Sequence, residues 1–144
     1  MFKKLSLVTI IGFIALQSKA QGKVTVNISN IKNDRGVCRT CLFKDANAFK
    51  GETGEPFQCL NIKVKDKMAA GTFENIPAGN YAIMVFHDEN KNNKLDKNFL
   101  GIPKEGYGAS KNKLPFAGAP TYVDNMFSVK DRVVNTISIK LRNL

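Results

Sequence analysis

The chain has no tryptophan and only one histidine, with 5 prolines and 3 cysteines among its 144 residues. A lone imidazole, His87, leaves no zinc site of ordinary ligand spacing. No Gly-x-Ser-x-Gly elbow is present, so a serine hydrolase of that type is excluded. Gly101, Gly106 and Gly108 flank Pro103 and Tyr107 but do not form a phosphate-binding loop. Acidic residues are also scarce: 12 Asp and Glu face 22 Lys and Arg, giving a formal charge of +10. The basic residues are scattered from Lys23 to Arg142, with no dense run and no interleaved stacking aromatics. That pattern excludes a nucleic-acid reader and describes a solvated basic surface with weak attraction for anionic polymers or headgroups. Internal repeats, low-complexity tracts and convincing amphipathic helices are all missing.

Long apolar runs are missing too, apart from one at the start. Met1-Phe-Lys-Lys4 is basic, Leu5 to Leu16 is largely apolar, and Ser18-Lys19-Ala20 places small residues at −3 and −1. This order of regions predicts a secretory signal peptide over residues 1–20, cleaved after Ala20. The run is short for a membrane span, which needs about 20 apolar residues. An uncleaved anchor is the alternative. Loss of Lys3, Lys4 and Lys19, with no acid in residues 1–20, takes the charge from +10 to +7. Residues 21–144 then make a single domain, periplasmic or extracellular, with no transmembrane segment after cleavage.

What the mature chain does have is alternation. Val24, Val26 and Ile28 alternate with polar residues, and Asn33-Asp-Arg-Gly36 turns the chain into Val37–Phe43. Residues 44–58 are polar, with a short helical possibility at Ala46–Phe49. Leu60, Ile62 and Val64 alternate again, followed by a turn at Lys65–Lys67 and a strand over Gly71–Ile76. Pro77–Asn80 turns the chain into Tyr81–Phe86, apolar nearly throughout and so expected to be central with both faces covered. Asn125–Val129 and Val133–Leu141 close the series. About seven short strands separated by turn chemistry predict an all-β fold, a single antiparallel β-sandwich. The long Asp/Asn/Gly-rich stretch from Asp88 to about Tyr122 stands out, because irregular segments of that size are usually functional or specially held.

The richest chemistry lies at the start of that stretch, in Asp88-Glu-Asn-Lys-Asn-Asn-Lys-Leu-Asp96. Asp88, Asn90 and Asn92 match positions 1, 3 and 5 of a calcium loop, the Lys94 carbonyl matches position 7 and Asp96 position 9. Position 6 needs a left-handed backbone, which Asn93 tolerates, and Leu95 matches the apolar anchor at position 8. Phe99 stands where the bidentate Glu of position 12 belongs, so affinity is expected to be modest, with Glu105, Asn98 or water completing the shell. The alternative is an Asx-rich turn that binds nothing and is held by local side-chain-to-backbone bonds.

Other residues carry weaker signals. His87, Glu105 and Tyr107 could form a ligand face, although a histidine ending a strand is more often structural than catalytic. A triad of Ser110, His87 and an Asp exists only on paper. In an exported chain the cysteines can form disulfides. Cys38-Arg-Thr-Cys41 matches C-x-x-C, but on a strand residues i and i+3 face opposite ways, which argues against a redox or metal pair. Cys38 shares its face with Thr40 and Leu42, the expected core side, which favours a bridge between Cys41 and Cys59. Three unpaired thiols are the alternative.

Several of these segments together carry a resemblance. Phe73-Glu-Asn-Ile-Pro-Ala-Gly-Asn-Tyr-Ala-Ile83, His87–Asp96 and Asn98-Phe-Leu-Gly-Ile-Pro-Lys-Glu-Gly-Tyr-Gly108 resemble the bacterial domain-of-unknown-function family 2141 over essentially the whole mature chain. The resemblance implies an exported sandwich of prealbumin-like or carboxypeptidase-regulatory-like type, with no established activity. The Pro77–Tyr81 turn is also similar to surface-protein B-type repeats, which carry comparable Asp/Asn loops. Ser110-Lys-Asn112 departs from the family pattern, where Asn more often follows that Ser directly.

Three functional classes follow. The first is an exported, non-catalytic accessory module, stabilised by calcium and binding a protein, glycan or envelope component. The second is a small-ligand binder or enzyme built around His87, Glu105 and Tyr107. The third is a purely structural domain with no metal.

Overall fold

The apolar run that begins at Tyr81 lies inside the larger of two sheets in a computed structural model that describes residues 21–144. The expected signal peptide, residues 1–20, lies outside the described residues. In chain order the strands are β1 (Gly22–Ser29), β2 (Val37–Phe43), β3 (Gln58–Lys63), β4 (Ala69–Ile76), β5 (Gly79–Asp88), β6 (Tyr107–Ala109), β7 (Phe127–Val129) and β8 (Val134–Lys140). Two short helices, α1 (Ala46–Lys50) and α2 (Tyr122–Asn125), complete the set. The smaller sheet has the order β4-β1-β8. The larger runs β3-β2-β5-β6, with β7 paired to the first residues of β5.

The two sheets form a β-sandwich. Alternation places Val24, Val26 and Ile28 of β1 opposite Cys38 and Leu42 of β2 and Tyr81, Ile83 and Val85 of β5, all fully buried. The outer side of β5 is covered as well, which is why its sequence hardly alternates. Ala82, with Cys41, Phe43 and Ala109, packs beneath Ala48 and Phe49 of α1 and Tyr122 of α2 in a second apolar cluster.

Three details depart from the sequence reading. The sandwich is not antiparallel throughout, because β1 and β8 pair in parallel from Lys23–Val134 to Ser29–Lys140. Side-chain alternation is the same in either direction, so it cannot reveal this. A further strand, β6, lies in the stretch expected to be irregular and pairs with β5 at Met84–Phe86. Tyr107 also exchanges two backbone bonds with Arg142, at 3.1 and 2.8 Å, closing one side of the sandwich. Finally, the segment read as a strand from Asn125 starts on the last residue of helix α2, and only Phe127–Val129 of it is paired as strand.

The turn between β1 and β2 fixes where the long loop leaves the sheet. Gly36 has φ +66°, and a Cβ there would come within 2.0 Å of the Asp88 carbonyl oxygen. Only glycine allows the two segments to approach so closely.

Candidate functional site

Segment 88–105 leaves the end of β5 and is closed by its own polar side chains. Asp88 is fully buried. Its carboxylate accepts the backbone N–H of Asn92 at 3.0 Å and of Asn93 at 2.8 Å. Asn90 Oδ1 accepts from Asn92 N at 3.2 Å, and Asn92 Oδ1 accepts from Lys94 N at 2.9 Å. These Asx turns wind the chain tightly enough to place Lys91 and Asn93 in left-handed backbone, at φ 60° and 61°. The Asn93 geometry is the one that position 6 of a calcium loop requires.

The next ring of bonds brings the side chains together. Asp96 accepts the Asn90 amide N–H at 2.7 Å and the Asn92 amide N–H at 2.9 Å. Glu105, only 6 % exposed, braces both ends of the loop. One of its oxygens accepts from Glu89 N at 3.1 Å, the other from Asp96 N at 3.0 Å. Arg39 on β2 ties the loop to the sheet through Asn93 Oδ1 at 3.3 Å and also reaches Asn61 Oδ1 at 3.2 Å.

The donor set suits a hard cation in kind, since Asp88, Asp96 and Glu105 keep free lone pairs and the asparagines add amide oxygens. In this arrangement, however, Asn90 and Asn92 turn N–H groups rather than oxygens toward Asp96. A bound cation would replace those two donors, and both amides would turn over to present oxygen. Among the described residues no group of three or more His, Cys, Asp or Glu is placed to hold a metal. Coordination would therefore depend on the asparagines and on backbone carbonyls such as that of Lys94. Phe99, at the position of the missing Glu, is 96 % exposed and takes no part in closing the loop.

His87, Glu105 and Tyr107 are all buried, at 0, 6 and 9 % exposure, so they do not form a ligand face open to solvent. The His87 Nε2–H donates to the Arg35 carbonyl at 2.7 Å. Nδ1 has no hydrogen-bond partner and lies 3.9 Å from Glu89 Oε1. Ser110 is equally committed: its hydroxyl donates to the Asn125 carbonyl at 2.6 Å and accepts from Ile83 N at 3.0 Å. Ser110 stands beside Ile83, four residues from His87 along β5, or about 13 Å at strand rise. The paper triad is not assembled.

Cys41 and Cys59 are joined in a disulfide between β2 and β3, where they stand directly opposite. Cys38 is a free thiol in the main core, and burial pushes its pKa up to about 12.

A polar cluster that sequence reasoning missed supports the base of the loop. Glu89 accepts from Asn33 Nδ2 at 3.1 Å and from Arg35 Nη2 at 2.6 Å. The Asn33 bond, followed by the Arg35 bond and charge, holds the Glu89 carboxyl below its ordinary value despite partial burial. Asn33-Asp-Arg-Gly36 signals a turn in the sequence, but nothing local reveals that its side chains reach residue 89. The hub at Asn125 was likewise invisible: this buried side chain makes four bonds, to both backbone groups of Lys113 and to Lys111 N and Thr121 O.

A family model described as "Uncharacterized protein conserved in bacteria (DUF2141)" matches residues 26–137. The chain belongs to this family. The match begins within β1 and ends within β8, so the DUF2141 region takes in both sheets and the whole 88–105 loop. No curated protein and no solved structure gives a significant match to the chain.

Proposed function

We propose that this DUF2141 protein is an exported, non-catalytic binding module whose 88–105 loop, stabilised by calcium, is directed at an envelope component. The observation that carries this reading is the convergence of Asn90 and Asn92 on Asp96, with the Asp88 carboxylate turned into the same loop. Asp and Asn at these spacings are the side chains a hard cation takes, and a cation would displace the two amide N–H groups from Asp96 as the amides turned over. The basic, apolar and small-residue order of residues 1–20 supports export. The enzymatic alternative has less support, because His87, Glu105, Tyr107 and Ser110 are buried and His87 and Ser110 are engaged in structural hydrogen bonds.

Calorimetric titration tests the calcium reading. Saturable binding with a Kd of about 10⁻⁴–10⁻³ M is expected, as in other extracellular sites. Asp96→Asn should abolish it, and a flat titration of the native protein would leave the loop as a bare Asx turn. Export has a separate test. The protein recovered from a secreting bacterium should have Gln21 as its first residue by intact mass, and retention of Met1 would contradict cleavage.

A further inference from the structure

We propose that the hairpin tip 97–104 is an anchor for an anionic lipid surface. Phe99 is 96 % exposed, Leu100 68 % and Ile102 43 %. Three adjacent apolar side chains held out in water are unlike the single exposed apolar residues common on protein surfaces. The backbone keeps them there. Lys97 pairs with Pro103 across the hairpin, and Asn98 N donates to the Ile102 carbonyl at 2.9 Å. Asn98 Oδ1 accepts from Leu100 N at 2.9 Å and from Ile102 N at 3.0 Å. Gly101, at φ 77°, completes the turn with a 3.0 Å bond from its N–H to the Asn98 carbonyl. A tip tied at so many points does not fold back to hide its apolar side chains, and little ordering entropy remains to be lost on docking.

The charges around the tip identify the partner. Segment 88–105 contains four acids and four lysines and is formally neutral. Folding sorts them. Asp88 and Glu105 are buried, Glu89 is paired with Arg35, and Asp96 holds two asparagine amides. Lys91, Lys94, Lys97 and Lys104 are all exposed. The outward side of the loop is therefore cationic, and its outermost part is apolar. That combination matches an anionic bilayer, where apolar groups enter the acyl boundary and flanking lysines reach the headgroups. The inference makes the partner class of the binding module specific, but it does not depend on calcium.

Vesicle co-sedimentation tests it, with phosphatidylcholine vesicles compared with vesicles that also contain phosphatidylglycerol, all in chelator. Running every arm in chelator separates failure here from failure of the calcium reading. Binding should require phosphatidylglycerol and weaken as salt is raised. Phe99→Ser with Leu100→Ser should weaken binding by about tenfold or more, with melting unchanged because both side chains are exposed. Lys97→Ala and Lys104→Ala should each cost about fivefold. Lys50→Ala with Lys130→Ala, at the opposite end of the larger sheet, should cost much less. Because the chain has no tryptophan, Phe99→Trp provides a single reporter whose emission should shift to the blue on anionic vesicles. Three outcomes would overturn the proposal: no vesicle binding, no blue shift, or a loss from the Lys50/Lys130 double variant as large as that from Lys97→Ala or Lys104→Ala. Binding to soluble polyglutamate but not to vesicles would assign the tip to an acidic polymer instead.

Discussion

Glu89 is the residue on which the base of the loop depends, and its environment makes it pH-sensitive in a defined direction. The hydrogen bonds from Asn33 and Arg35 hold its carboxyl below the ordinary value of 4.5. A carboxyl depressed in the folded state stabilises the protein at pH above 4.5 and loses that contribution as pH falls through the lower folded value. The stability difference between the native protein and Glu89→Gln should therefore be constant near neutrality and shrink toward zero in acid. A difference that grows on acidification would contradict the pairing. Cys38 gives a second test at this scale. Its buried thiol, pushed up to about 12, should resist alkylation in the folded protein and react only on unfolding. Modification of the native protein at neutral pH would show that the core position is wrong. The Asp and Asn residues of the loop stand out from their alternate spacing, which predicts tight Asx turns as readily as a cation loop. The partners of Glu89 were not, since Asn33 is 56 positions away and was brought close only by folding.

At the scale of elements, one carboxylate braces both ends of the loop between β5 and β6. Glu105 accepts from both Glu89 N and Asp96 N, so Glu105→Gln weakens two bonds at once and leaves an amide N–H facing a backbone donor. Hydrogen bonds to a charged group contribute about 1.5–3 kcal/mol each, so a loss of about 2 kcal/mol is expected in denaturant melts. An effect within experimental error would show that the loop is held by other means. Strands β1 to β5 could be placed from alternation and turn residues, because each buries one face or is bounded by Gly, Pro or Asn. β6 could not, because Tyr107-Gly-Ala109 is too short to show a period and is extended only by pairing with Met84–Phe86. Helix α2 was hidden for a related reason. Its N-cap, Thr121, accepts from Asp124 N at 3.2 Å, but a single turn leaves no apolar stripe to recognise.

For the whole molecule, two apolar layers surround the larger sheet: the sandwich core on one side and the small cluster beneath α1 and α2 on the other. The Cys41–Cys59 disulfide lies in the second layer, away from the loop end of β2. The parallel pairing of β1 with β8 joins the two ends of the described chain in one sheet. Such a body can carry the 88–105 loop as a rigid projection. What the loop does is decided most directly by the thermal stability of the protein in millimolar calcium and in chelator, measured side by side with Asp88→Asn and Asp96→Asn. With calcium well above a Kd of about 10⁻⁴–10⁻³ M, linkage gives about 1–3 kcal/mol of stabilisation. The native melting temperature should then rise by about 4 °C or more, and neither variant should respond. Equal melting temperatures for the native protein in calcium and in chelator would contradict the central claim.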